Sequence, residues 1–94
     1  MDIQALVTAQ RAYFSTGATL PLSARRAALK RLRAAIKAHE ADISAALWAD
    51  LNKSPAESYM CEVGMTLSEL SFVEKRLAGW MGDRPHLTPL AQFP

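Results

Sequence analysis

A capping box in the middle of the chain constrains the fold more than any other feature. Ser54 is followed by Pro55 and, three residues after the serine, by Glu57. In this pattern the serine side chain accepts from the amide of the third helical residue, while the glutamate reaches back to the serine amide. Pro55 falls at the first helical position, where its missing N–H costs nothing. A helix therefore begins at Pro55, and it should end near Met81, because a glycine and then a proline follow.

Two more helices are predicted upstream of this box. The first runs from Asp2, which suits a helix N-terminus, to about Thr16. The second runs from Ser23, a credible N-cap, to Asn52, and its interior is rich in strong helix formers. A straight helix of this length is uncommon in a small domain, so the sequence leaves open whether it is kinked near His39.

The third helix is apolar on two sides. Its main arc holds Tyr59, Val63, Leu67, Leu70, Val73, Leu77 and Met81. A second patch on roughly the opposite face holds Cys61, Met65 and Phe72. Such a helix requires two partners. The second helix can cover one face as an antiparallel neighbour, but little of this short chain remains to cover the other.

The fold class that follows is all-α. A short helix precedes a long antiparallel helical pair, and together they form a helical segment over residues 1–82. Residues 83–94 contain three prolines and are predicted to form an extended connector. The pattern is that of a fragment, because the second apolar face has no partner within the chain.

Charge and composition exclude several classes of function. The net charge of +2 is too small to demand an anionic partner. Arg26, Lys30, Arg33 and Lys37 form one helical stripe without interleaved aromatics, so we interpret it as a solvated face or a contact with an acidic surface outside the chain, rather than a nucleic-acid site. The single cysteine excludes an internal disulfide. No apolar run approaches the ~18 residues of a membrane span.

The N-terminus carries no basic leader, so we expect a cytoplasmic protein without a membrane partner. We expect no metal site either, because His39 and His86 have no ligand at suitable spacing. Cys61 lies in mid-helix between Met60 and Glu62, and we interpret it as a packing residue, because free cysteines usually behave as small hydrophobic residues.

Several charged and aromatic residues leave alternatives open. Arg25 and Asp50 project towards the apolar stripe of the second helix, near its two ends. Arg25 either pairs with a carboxylate of the third helix, Glu74 or Glu69, or extends its guanidinium into solvent. The two tryptophans, at positions 48 and 80, are either anchors for a partner or ordinary half-buried residues.

Residues 46–57 resemble the ALxxDLxKSPxE signature of NAD(P)-dependent aldehyde dehydrogenases, in the compact branch that acts on fatty and aromatic aldehydes. The resemblance extends upstream over residues 11–17 and 25–36, and downstream over residues 62–63, 68–70 and 77–81. Residues 88–94 are similar to the family's approach to its first strand. Nearly the whole chain is covered, in order and without gaps.

This resemblance implies a parent protein with a Rossmann-like cofactor domain, onto which the N-terminal helices pack as scaffold. It implies oxidation of an aldehyde to a carboxylic acid by a cysteine nucleophile, with NAD or NADP as hydride acceptor. The family's catalytic and cofactor-binding groups lie downstream of this chain. We therefore predict no catalytic, cofactor-binding or metal residue here, and a chain that is inactive alone. Its expected partners are the missing cofactor domain and further copies of itself. The alternative is a freestanding helical module that binds itself or another protein through its second apolar face.

Overall fold

The computed structural model describes residues 1–92, and Phe93 and Pro94 lie outside the described part. The described chain is helical, without a strand. Its elements are α1 (Ile3–Ser15), α2 (Leu22–Ala38), α3 (Glu40–Leu51), α4 (Pro55–Ser58), a π-helical segment (Tyr59–Val63), α5 (Gly64–Trp80) and a short 3₁₀ turn (Leu90–Gln92). The all-α prediction is confirmed for these residues. The predicted connector has no regular structure from residue 83 to residue 89.

Helix α1 begins and ends as its sequence predicts. The Asp2 carboxylate accepts a hydrogen bond from the Ala5 amide at 3.1 Å, which caps the first turn. Gly17 adopts a positive φ of 75°, the left-handed conformation that glycine reaches without strain. The predicted cap of the second helix is wrong, because α2 begins one residue before Ser23. Pro21 occupies the N-cap position, where its extended backbone leads directly into the helix.

The second predicted helix is divided at His39 into α2 and α3. His39 has φ −104° and ψ 16°, and its N–H still donates to Ala35 while its carbonyl accepts from Ile43. Its ring Nδ1 lies 3.0 Å from the Asp42 carboxylate, across the first turn of α3. The sequence left open whether this helix is kinked near His39, and the structure shows that the helix is interrupted at this residue. At the other end of α3, Asn52 adopts the left-handed conformation, with φ 57°, and reverses the chain.

The third predicted helix begins with the expected capping box. The Ser54 hydroxyl accepts from the Glu57 amide at 3.2 Å, and the Glu57 carboxylate accepts from the Ser54 amide at 3.1 Å. One turn later the helix widens into the π-helical segment, closed by the Gly64 N–H donating to the Tyr59 carbonyl. The sequence did not predict this wide turn.

The π turn shifts the buried face by one residue. Val63 is buried, and the buried residue one wide turn before it is Ser58 rather than Tyr59. Tyr59 is half exposed, so its predicted place in the apolar arc is wrong. The π turn contains one residue more than an α-helical turn, so the side chains before it are rotated about the helix axis relative to those after it. The Ser58 hydroxyl is buried with no hydrogen-bond partner among the described residues.

Helices α2 and α5 pack as an antiparallel pair, and α3 packs against α4. The core of this arrangement is small: Val63 and Leu70 are its buried apolar side chains. The radius of gyration is 19.9 Å, against about 13 Å for a compact domain of 100 residues. The exposed surface is 7952 Å², against about 5,400 Å² for a compact monomer of this mass. The chain is therefore elongated, with principal extents of 65, 34 and 23 Å.

Candidate interaction surface

An ion pair joins α2 to α5 at the middle of their contact. The Arg33 guanidinium donates to the Glu74 carboxylate at 3.0 and 3.4 Å, and to the Ser71 hydroxyl at 2.9 Å. Both charged side chains are about one-quarter to one-third exposed. Three hydrogen bonds donated by one guanidinium fix how the two helices lie along one another.

This pair corrects the sequence-based assignment of Glu74. Arg25 has no carboxylate within salt-bridge distance among residues 1–92, and its Nε donates to the Thr19 carbonyl at 2.8 Å. The pairing predicted for Arg25, with Glu74 or Glu69, is therefore wrong. Arg33, which we assigned to the solvated stripe, is the true partner of Glu74. Asp50, at the far end of the predicted stripe, is exposed.

A second ion pair links the turn after α3 to the π-helical segment. The Lys53 ammonium donates to the Glu62 carboxylate. That hydrogen bond raises the pKa of Lys53 above its ordinary value of 10.5, with a smaller opposing effect from burial. The pair connects the two sides of the chain reversal around Asn52.

The outer face of α5 carries a row of exposed apolar side chains. Met65 is 63% exposed, Phe72 45% and Trp80 55%. The rings of Phe72 and Trp80 lie 5.8 Å apart, and the Arg76 guanidinium lies 4.7 Å from the centre of the Phe72 ring. Cys61 is also exposed. We call these five residues the outer α5 face.

The outer α5 face contains the second apolar patch predicted from sequence, and nothing in the described chain covers it. The packing role predicted for Cys61 is therefore not realised within residues 1–92. Trp80 lies on this face, and Trp48 is 57% exposed on α3. Contiguous exposed apolar side chains of this size are typical of surfaces that bind a partner. This face is the candidate functional site of the chain.

The described residues contain no group of three or more His, Cys, Asp or Glu side chains placed to hold a metal ion. His39 contacts Asp42, whereas His86 is exposed in the tail, so the structure does not bring the two histidines together. Over residues 1–92, no helix combines the length and the apolar character that crossing a bilayer requires.

Proteins similar to this chain are found among curated aldehyde dehydrogenases. The 4,4'-diaponeurosporen-aldehyde dehydrogenase of Staphylococcus aureus is 40% identical over 84 residues, which are 89% of this chain and 18% of that protein. The dimeric NADP-preferring aldehyde dehydrogenase of the dog is 41% identical over 91 residues, 96% of this chain and 20% of that protein. The aldehyde dehydrogenase family 3 member H1 of Arabidopsis thaliana is 36% identical over 89 residues, 95% of this chain and 18% of that protein.

The homologues of this chain are aldehyde dehydrogenases. No family model matches the chain, and no solved structure matches it. The chain spans about a fifth of the length of the curated relatives it matches. The apolar second face of α5 was predictable from the sequence of this chain. The Arg33–Glu74 pair was not, although Arg33 borders the apolar stripe of α2 and Glu74 lies within the arc of α5.

Proposed function

We propose that this chain is the N-terminal helical segment of an aldehyde dehydrogenase that oxidises an aldehyde to a carboxylic acid with NAD or NADP. The observation that carries the proposal is an identity of 40–41% over nearly the whole chain to enzymes about five times longer. Two of the relatives are named NADP-preferring, which supports a nicotinamide cofactor in the parent.

The role of the segment in that enzyme is structural. Aldehyde oxidation needs a hydride acceptor and a nucleophile, and the cofactor and the protein supply these. Cys61, the single thiol of the chain, lies on the outer α5 face beside Met65 rather than in a pocket with a base. The proposal therefore assigns no catalytic step to these residues, and the catalytic and cofactor sites lie in the remainder of the polypeptide.

The outer α5 face is the surface that packs against that remainder. Phe72 and Trp80 are too exposed to serve the small α2–α5 core, and burying a large apolar side chain stabilises by about 1.5–3 kcal/mol. The Arg76 guanidinium lies 4.7 Å from the centre of the Phe72 ring, and a cation–π contact of this kind becomes stronger when it is removed from water.

Activity measurements test the enzymatic part of the proposal. The product of the whole reading frame and the 94-residue chain are each assayed with NAD+ and NADP+ and with several fatty and aromatic aldehydes. We expect cofactor reduction by the longer product and none by the chain alone. A longer product that is inert with every aldehyde, or a reading frame that ends at Pro94, contradicts the proposal.

Cysteine labelling tests the structural part. In the 94-residue chain, diluted until light scattering shows a monomer, Cys61 should react fully with a maleimide under native conditions, because it is exposed. In the longer product, peptide mapping should show the same thiol protected until denaturant is added. Equal labelling of Cys61 in both forms contradicts the assignment of the outer α5 face to the contact with the remainder.

The alternative is a freestanding helical module that binds itself or another protein, and the exposed outer α5 face favours it as well. Both accounts expect the isolated chain to self-associate, because an uncovered apolar face promotes association. Two relatives are named dimeric. Light scattering at high protein concentration should show a dimer or a larger oligomer, whereas a strictly monomeric chain contradicts self-association.

A further inference from the structure

The π turn buries a hydroxyl beside an aromatic ring that it leaves half exposed. Ser58 is 1% exposed, and its hydroxyl has no hydrogen-bond partner among residues 1–92. The next side chain, Tyr59, is 50% exposed. Burying a polar group without a partner costs free energy, whereas burying a tyrosine ring stabilises a fold. At this point the described conformation therefore buries the less favourable of two adjacent side chains.

A regular α-helix would exchange these two side chains. Val63 is buried, and Ser58 lies five positions before it, whereas Tyr59 lies four positions before it. Residues four apart share a face of an α-helix, and residues five apart share a face across a π turn. Removing the extra residue rotates the chain before the turn by about 100°, the angle of one α-helical residue. Tyr59 then takes the buried position, and the Ser58 hydroxyl turns towards water.

Space for the tyrosine ring already exists beside the π turn. Ser58, Tyr59 and Val63 line one side of an open concavity of about 440 Å³, and residues of α2 and α3 line the other side. A cavity of about 150 Å³ is enough to hold a benzene ring. Lys37 and Ser44 also line the concavity and carry hydrogen-bonding groups, which the hydroxyl of a buried tyrosine usually needs. The concavity therefore suits both ends of the Tyr59 side chain.

The segment before the π turn is short and holds its own end together. Helix α4 is a single turn, and its capping box joins Ser54 to Glu57, so both partners rotate with the helix. Residues 52–54 connect it to α3 and can take up one more residue. On the other side of the turn, Gly64 permits the wide turn, because a β-carbon there would lie 2.6 Å from the Tyr59 carbonyl oxygen.

We propose that the π turn is a conformational switch between two registers of the third helix. In the first register, which the structure shows, Ser58 is buried and Tyr59 is half exposed. In the second register the extra residue passes into residues 52–54, the helix is regular, Tyr59 fills the concavity and Ser58 faces water. The ion pair of Lys53 with Glu62, which spans the turn, favours the first register, so the second is the minor population. A partner that contacts the exposed Tyr59 ring selects the first register, and the switch does not depend on the enzymatic assignment.

Thiol labelling at position 58 measures the second register in the 94-residue chain. In a Cys61→Ala background, Ser58→Cys places the single thiol at a position that is 1% exposed in the first register. Its rate of reaction with a maleimide follows the population in which position 58 is open to solvent. Gly64→Ala should raise this rate at least about fivefold, the smallest shift expected from forcing a methyl group into a filled site. Gly79→Ala is the matched control and should not raise the rate, because its β-carbon would meet nothing within 4 Å.

Fluorine NMR distinguishes the switch from local unfolding. A Tyr13→Phe chain labelled with 3-fluorotyrosine gives one fluorine signal, that of Tyr59, since the chain has two tyrosines. A soluble gadolinium chelate broadens this signal in proportion to the exposure of the ring. We expect Gly64→Ala to reduce the broadening while it raises thiol labelling at position 58. Greater exposure of both side chains is local unfolding and overturns the proposal, as does a labelling rate that Gly64→Ala leaves unchanged.

Tyr59→Ala tests the switch without any change at Gly64, and it decides the matter if Gly64→Ala does not fold. Removing the ring takes away the burial that stabilises the second register. Labelling of Ser58→Cys should therefore fall roughly fivefold, the effect of burying the exposed half of a large apolar side chain. Local unfolding predicts the opposite sign, because losing the ring would weaken the first register. An unchanged or higher labelling rate in Tyr59→Ala overturns the proposal.

Discussion

Replacing Gly64 by alanine tests why the third helix widens after α4. The Gly64 N–H donates to the Tyr59 carbonyl, the five-residue bond that closes the π turn. A β-carbon on Gly64 would lie 2.6 Å from that same oxygen and 3.3 Å from the nearest tyrosine ring atom. The oxygen belongs to the backbone, so it moves only if the turn opens. The wide turn therefore depends on the absence of a side chain at this position.

The expected magnitude follows from two opposing effects. Glycine to alanine in an unobstructed helix stabilises by about 0.5–1 kcal/mol. Forcing a methyl group into a filled site costs about 1–3 kcal/mol. For Gly64→Ala we therefore expect a net loss of about 1–2 kcal/mol. Gly79 is the matched control in the same helix, because its β-carbon would meet nothing within 4 Å. Gly79→Ala should gain up to about 1 kcal/mol.

Thermal unfolding followed by far-ultraviolet circular dichroism measures both variants. For a chain of this size, 1 kcal/mol corresponds to about 4–8 °C in Tm. Gly64→Ala should unfold at a lower temperature than the parent chain, and Gly79→Ala at the same or a higher one. If Gly64→Ala raises Tm as much as Gly79→Ala does, the turn does not depend on glycine and the reasoning is refuted.

Three further predictions concern the contacts between elements. A double-mutant cycle on Arg33→Ala and Glu74→Ala should give a coupling free energy of about 1 kcal/mol in urea unfolding, because the ion pair is partly buried. If the losses of stability in the two single variants simply add up in the double variant, the two side chains do not interact. The pKa of Lys53 is higher in the folded chain than its ordinary value of 10.5, which also describes the unfolded chain. Its ion pair with Glu62 therefore stabilises the fold fully below pH 10.5, and this contribution is lost as the pH rises through the pKa of the folded state. The difference in urea midpoint between the parent chain and Lys53→Met should therefore shrink as pH rises above 10.5, and a constant difference from pH 8 to 11.5 contradicts this. Ser54→Ala should cost about 1 kcal/mol through loss of the cap, whereas Ser23→Ala, inside α2 and without a capping role, should cost nothing measurable by the same method.

Local signals in the sequence were sufficient where the stabilising groups are neighbours in the chain. The capping box at Ser54, the Asp2 cap and the left-handed Gly17 each involve residues at most three positions apart, so the residue types alone predict them. The start of α2 is a case in which residue types alone gave the wrong cap. Ser23 has the better capping side chain, but Pro21 fixes an extended backbone one residue before the helix, and that geometry determines where α2 begins.

The features that the sequence missed depend on contacts between distant elements. Arg33 and Glu74 are 41 positions apart, and their pairing requires the register in which α2 meets α5. A helical period of 3.6 residues also cannot predict the π turn, because the turn inserts one residue and moves the buried position from Tyr59 to Ser58. The outer α5 face was predictable because α5 continues without interruption after the turn, and a constant period describes it correctly.

The outer α5 face and the exposed cations of α2 belong to a chain with far more surface than a compact monomer of its mass. The surface of 7952 Å² exceeds that of a compact monomer by about 2,500 Å². A typical partner surface covers only about 800 Å². The ion pair of Arg33 with Glu74 turns the apolar stripe of α2 towards α5 and leaves Arg26 and Lys30 outside. Covering the outer α5 face with the rest of an aldehyde dehydrogenase would therefore leave the cations of α2 exposed.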